Sequence, residues 1–111
     1  MSYNKWKNKP TTIDGITFDS KKEAEYYCEL KLLKRAGLVK DFEMQVPYQL
    51  QPGYKRDGRA VRAITYVADF RITYPDGHVE VVDVKGAKTE VYKIKKKILL
   101  YLHPELIFRE V

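Results

Sequence analysis

From Phe42 onward, apolar residues recur at every second position, and this switch in hydrophobic period limits the fold more than any other feature of the sequence. Phe42, Met44, Val46, Tyr48 and Leu50 alternate with Glu43, Gln45, Pro47 and Gln49. That is the pattern of a strand with one buried face. Pro47 marks it as an edge strand or the site of a bulge, because proline cannot donate to a ladder. A second alternating run, AITYVADFRITY, places Ile64, Tyr66, Ala68, Phe70, Ile72 and Tyr74 on one face and Thr65, Val67, Asp69 and Arg71 on the other. Pro75-Asp76-Gly77 turns the chain, and VEVVDVK returns as a third strand, antiparallel to the second. The segment between the first two strands, QPGYKRDGRAVR, reads as a loop rich in turn residues and cations.

Helical spacing flanks these strands. After TTIDGITF, two short β-rich pieces around the turn dipeptide Asp14-Gly15, a helix is predicted to begin near Ser20. Ser20 followed by Glu23 is a capping-box pattern, and Gly37 is a natural stop. Tyr26, Tyr27, Leu30 and Leu33 form the apolar stripe, and Glu23 belongs to that stripe, pointing toward the edge of the core. A second helix is predicted from about Thr89 to His103, with Val91, Ile94, Ile98 and Tyr101 as its apolar side. Pro104 ends it, and LIFREV suits a final strand. The order helix, three strands, helix, strand gives an α/β (α+β) fold, a mixed sheet of about four main strands flanked by helices. The second helix is long enough to cross over and leave the last two strands parallel. Residues 1–12 read as a flexible basic arm, and 13–111 as a single domain.

Composition excludes some functions. No apolar run reaches the length of a membrane span, and MSYNKWKNKP has charge without an apolar export segment, so a cytoplasmic location is expected. Cys28 cannot form an internal disulfide and fits a helical packing position. His78 and His103 lack the spaced partners of a zinc site. The net charge of +6 favours a polyanionic partner.

Asp83 and Lys85 interrupt the third strand two residues apart, and so on one face. A hairpin at Pro75 to His78 brings Asp69 close to Asp83 across the ladder. Two neighbouring carboxylates repel unless a cation relieves them. Mg²⁺, with Mn²⁺ as the alternative, takes oxygen ligands, and Asp69, Asp83, the Val84 carbonyl and Glu23 would supply them. Lys85 would orient or deprotonate water, or stabilise a transferring phosphate. Each residue also has a plainer reading. Glu23 is explained by the capping box, Asp69 by an ion pair with Arg71 or Lys85, and the D-x-K triplet by a solvated strand face.

The series Glu23, YVADF with Asp69, VVDVKG with Asp83 and Lys85, then a basic helix, resembles the PD-(D/E)XK or restriction-endonuclease-like nucleases, whose core order is αβββαβ. The phrases DGITFDSKKEAEYY, RAITYVADF, DVKG and TEVYKIKKK are similar to a family of small phage and prophage proteins of unknown function placed in that superfamily. The resemblance implies a metal-dependent phosphodiesterase with Asp69 and Asp83 as metal ligands, Lys85 as catalytic lysine and Glu23 as helix carboxylate. It departs from the motif in having Ala68, not proline, before Asp69. The expected partner is DNA. Lys88, Lys93, Lys96, Arg59, Arg62 and Gln45 are candidate contacts, joined by the Lys5, Trp6, Lys7 arm. Two alternatives stand beside general DNA processing or recombination. One is a branch-specific nuclease resembling Holliday-junction resolvases, which would work as a homodimer, and the other is a nucleic-acid-binding protein that keeps the fold without the chemistry.

Overall fold

The computed structural model describes residues 10–84 and 88–111. In chain order its elements are β1 (Thr11–Ile13), β2 (Ile16–Phe18), α1 (Lys21–Arg35), β3 (Asp41–Gln51), β4 (Tyr54–Arg56), β5 (Arg59–Val61), β6 (Ile64–Thr73), β7 (Val79–Asp83), α2 (Glu90–Leu102) and β8 (Ile107–Glu110). The main sheet runs β3-β6-β7-β8. Its first three strands are antiparallel, and β7 and β8 are parallel, joined through α2. The fold is therefore the expected mixed sheet with two helices. Pro47 lies on β3, an edge strand, where a missing donor costs least. Among the described residues no helix is long and apolar enough to cross a membrane.

The segment expected to be a loop is a hairpin. Tyr54 pairs with Val61, Lys55 with Ala60 and Arg56 with Arg59. This register carries on from the pair Gln51 and Ile64, so β4 and β5 prolong the β3–β6 ribbon beyond a break at Pro52-Gly53 and Arg62-Ala63. The turn residues Asp57 (φ 51) and Gly58 (φ 78) both adopt left-handed backbone. That is the type I′ geometry that matches the twist of a two-residue hairpin.

The second strand does not keep one apolar face. Phe70 and Ile72 pack with Ala24, Tyr27 and Leu30 of α1. Tyr66 and Ala68 pack instead with Tyr92 and Leu99 of α2. β3 switches in step, with Phe42 and Met44 on the α1 side and Val46 and Leu50 on the α2 side. The alternation changes face at Gln45 and Asp69, which oppose each other in the β3–β6 register and make no ladder pair there. Gln45 has a left-handed φ of 53. The irregularity lets one ribbon serve two cores, one against each helix.

The apolar side expected for α2 is also corrected. Val91, Ile94 and Tyr101 are 62%, 56% and 82% exposed, whereas Tyr92 and Leu99 are buried. Tyr92 and Leu99 are seven residues apart, two helical turns, so both reach the same strip of sheet formed by Val46, Tyr66, Ala68 and Val81. Ile98 packs only at the margin of that core. On the other side, α1 buries Tyr27 and Leu30 of its expected stripe together with Ala24, while Tyr26 and Leu33 are partly buried. Phe70 meets Tyr26 edge-on at 5.2 Å between ring centroids.

Candidate functional site

The β6–β7 ladder ends at Phe70 paired with Val82, and the next facing residues in that register are Asp69 and Asp83. Here carboxylates take the place of backbone carbonyls as acceptors. The Asp69 amide donates to Asp83 Oδ1 at 3.1 Å, and the Val84 amide donates to Asp69 Oδ2 at 2.8 Å. Both side chains are buried, Asp83 completely. These bonds from backbone amides fix the orientation of both carboxyls at the end of the β6–β7 ladder. The proximity of Asp69 and Asp83 expected from the hairpin is present. The ion pair of Asp69 with Arg71 is not, since Arg71 forms a two-pronged bond to Glu43 at 2.9 and 3.0 Å.

Glu23 approaches Asp69 from α1. The Ser20 hydroxyl accepts the Glu23 amide at 3.1 Å, which is the first half of the capping box. The Glu23 carboxyl does not complete the box. It meets the Asp69 carboxyl and the Asp19 backbone. Capping and site duties thus fall on different atoms of Glu23, so the two readings of this residue do not compete. Burial first, then the Asp69 charge and a hydrogen bond between the two carboxyls, pushes the Glu23 pKa up to about 7. Glu23 and Asp69 line a cleft of about 410 Å³ together with Thr17, Asp19, Gln45 and Phe70. Asp19 and Thr17 were not foreseen as wall residues. Their only sequence signal is their position just before the helix cap, at the end of the β1–β2 hairpin.

The remaining candidates lie elsewhere. Val84 is buried against the α1 core, and Lys85 falls outside the described residues, as do Lys5, Trp6 and Lys7. Of the lysines on α2 and its approach, Lys88, Lys93 and Lys96 are engaged and Lys95 and Lys97 make no ion pair among the described residues. Lys88 and Lys96 both pair with Glu110, at 3.1 and 3.2 Å, and Lys93 pairs with Glu90 at 3.2 Å. The Tyr92 hydroxyl donates to Glu110. This bond, followed by the two lysines, holds the Glu110 carboxyl down at about 2. Arg59 and Arg62 stand exposed on the β4–β5 hairpin. The structure therefore gathers Glu23, Gln45 and Asp69 around one cleft, with Asp83 buried beside Asp69, and distributes the cations over two other surfaces.

A family model described as "Protein of unknown function (DUF1064)" matches residues 3–110. The chain belongs to the DUF1064 family. No curated protein and no solved structure gives a significant match to it.

In this DUF1064 chain the donor set can be weighed for a metal. Among the described residues no group of three or more His, Cys, Asp and Glu side chains is arranged to hold an ion. Two carboxyls, Glu23 and Asp69, do meet on the wall of an open cleft. Mg²⁺ is commonly held by one or two carboxylates with water and substrate oxygens completing its shell. The hard oxygen donors of Glu23 and Asp69 fit that requirement, and they suit neither a zinc site nor a thiolate site.

Proposed function

We propose that this DUF1064 protein is a metal-dependent phosphodiesterase acting on DNA, an endodeoxyribonuclease of the PD-(D/E)XK kind that serves phage or prophage DNA processing or recombination. The observation that carries this reading is the acidic point at Asp69, where the β6–β7 ladder gives way to carboxylates and Glu23 joins from α1 at an open cleft. The element order, with a mixed β3-β6-β7-β8 sheet between α1 and α2, supports the same reading.

Asp69 and Glu23 would hold Mg²⁺, with Asp83 and the Val84 carbonyl as further candidate oxygens. When bound, Mg²⁺ would supply Lewis-acid polarisation of a phosphoryl oxygen and acidify water. The chain's own part is to hold those oxygens in place. The Val84 amide locks Asp69, and the Asp69 amide locks Asp83, so little reorganisation is needed as charge develops. Gln45, which also lines the cleft, offers an amide donor to a phosphate oxygen or to water. Lys85, two residues after Asp83 in the sequence, is assigned to stabilise negative charge on the phosphoryl group.

The test is cleavage of single-stranded, linear duplex, supercoiled and four-way-junction DNA in EDTA, Mg²⁺ or Mn²⁺. Wild type is compared with Asp69→Asn, Asp83→Asn and Lys85→Ala. Metal-dependent cutting that falls at least about 100-fold in each variant is the expected result, on the scale of losing a preorganised electrostatic group. Preference for the junction would select the resolvase-like reading. DNA binding with no cutting in any metal would replace the nuclease by a non-catalytic binding module.

A further inference from the structure

We infer that the β4–β5 hairpin is an arm that grips duplex nucleic acid at a distance from the cleft. The inference rests on DNA being the substrate and deepens that reading by assigning a surface and a strandedness. Residues 54–62 carry Lys55, Arg56, Arg59 and Arg62 against a single acid, Asp57. None of the four cations makes an ion pair among the described residues, whereas Lys88, Lys93 and Lys96 of the α2 region are all paired. Every residue from Gln51 to Ala60 is exposed. Lys95 and Lys97 of α2 also make no ion pair among the described residues, so the hairpin offers four unpaired cations where the helix offers two, and the available charge is denser on the hairpin.

Arg56 and Arg59 are direct cross-strand partners. Like charges facing each other across a ladder destabilise a hairpin. A stable short hairpin has no need of such a pair, so its presence points to a ligand that neutralises it. The type I′ turn and the register that β4 and β5 share with the pair Gln51 and Ile64 hold the two arginines at the far end of an interrupted two-stranded ribbon. At Gly53 an added Cβ would sit 3.1 Å from the Val61 carbonyl, so the two strands are closely apposed at the arm's base. A two-stranded ribbon fits the major groove of duplex DNA, which is about 12 Å wide.

The ribbon also sets a distance. Arg59 precedes Asp69 by ten residues, and at about 3.3 Å per residue the tip lies up to about 30 Å from the cleft. That is about nine base pairs at the roughly 3.4 Å rise of B-DNA. The arm would thus contact the duplex about one helical turn to one side of the bond held at Asp69.

Fluorescence anisotropy of a 30-base-pair duplex and of the matching single strand, titrated in EDTA over a salt series, tests the arm without requiring cleavage. Arg56→Ala/Arg59→Ala is expected to reduce the log-log salt slope on the duplex by about two, since each phosphate contact contributes about 0.9. Arg56→Lys/Arg59→Lys should keep the slope, and thermal melting of both variants should match or exceed wild type. An unchanged slope in the alanine pair, no binding by wild type, or equal loss on the single strand would overturn the inference. Cleavage by wild type in Mg²⁺ is scored separately. A protein that binds through the arm but cuts nothing refutes the nuclease and keeps the arm, and one that cuts with an unaltered slope does the reverse.

Discussion

At the scale of single residues, Glu23 is a carboxyl whose protonation is set by the fold rather than by water. Its carboxyl titrates near 4.5 when exposed, and at about 7 in the folded chain, where burial and Asp69 oppose its charge. Between those values the folded state holds a proton that the unfolded state has released. The stabilisation from this group is complete below about pH 4.5 and is lost as pH rises through 7. Glu23→Gln should therefore flatten the pH dependence of metal-free stability between pH 5 and 8. At pH 8 it should stabilise the fold by about 1 to 2 kcal/mol, allowing for partial solvent access. Urea denaturation at several pH values reads both effects, and an unchanged slope would remove the carboxyl pair. Gln45 is strained in a different way, by its left-handed backbone. Gln45→Gly should stabilise by about 1 kcal/mol, because glycine accepts that conformation without a Cβ clash. If Gln45 serves substrate at the cleft wall, the same variant should lose catalytic rate while gaining stability, a split visible by pairing denaturation with cleavage kinetics.

At the scale of elements, α2 shows how a helix with apolar residues on two sides is placed by what it meets. Leu99 is fully buried and Ile94 is 56% exposed. Leu99→Ala is thus expected to cost about 2 to 4 kcal/mol, and Ile94→Ser to stay within about 0.5 kcal/mol. Equal losses in chemical denaturation would mean that the helix docks by its other side. The α2 stripe at Val91, Ile94, Ile98 and Tyr101 has good helical spacing, yet spacing cannot tell a core face from a solvent face. The same limit explains the ribbon. Period-two alternation located β3 and β6, but the switch of face at Gln45 and Asp69 is a backbone event with no signature in composition. The β4–β5 hairpin is not legible as strands because Tyr-Lys-Arg and Arg-Ala-Val are too short to show apolar alternation, although Asp57-Gly58 is the same turn dipeptide that marks β1–β2 at Asp14-Gly15. Turns, caps and the parallel crossover were legible because short-range chemistry fixes them. The meeting of Asp69 with Asp83 was legible because the Pro75-Asp76-Gly77 turn and the two alternating runs leave few registers. The meeting of Glu23 with Asp69 needed the packing of α1 on the sheet.

At the scale of the whole molecule, the cleft joins three parts of the chain that the fold must hold together: the end of the β1–β2 hairpin, the first turn of α1, and the β3–β6 ribbon at its change of face. A cation bound between Glu23 and Asp69 would tie α1 to the sheet, so its binding should appear as global stability as well as activity. At a metal concentration about 100 times the dissociation constant, the linkage gives about 2.7 kcal/mol. For a domain of this size that corresponds to a rise in Tm of roughly 10 to 20 °C. The metal competes with the proton held by the carboxyl pair, so the rise should be larger at pH 8 than at pH 5.5. Asp69→Asn should abolish it while leaving the metal-free fold intact, because the asparagine oxygen can still accept the Val84 amide. Thermal melts with Mg²⁺, Mn²⁺ or EDTA at the two pH values read this without any substrate. A Tm unmoved by either metal at pH 8 would remove the cation from the cleft and leave the carboxyl pair as a proton-sharing contact between α1 and the sheet. A rise that persists in Asp69→Asn would move the cation to other oxygens.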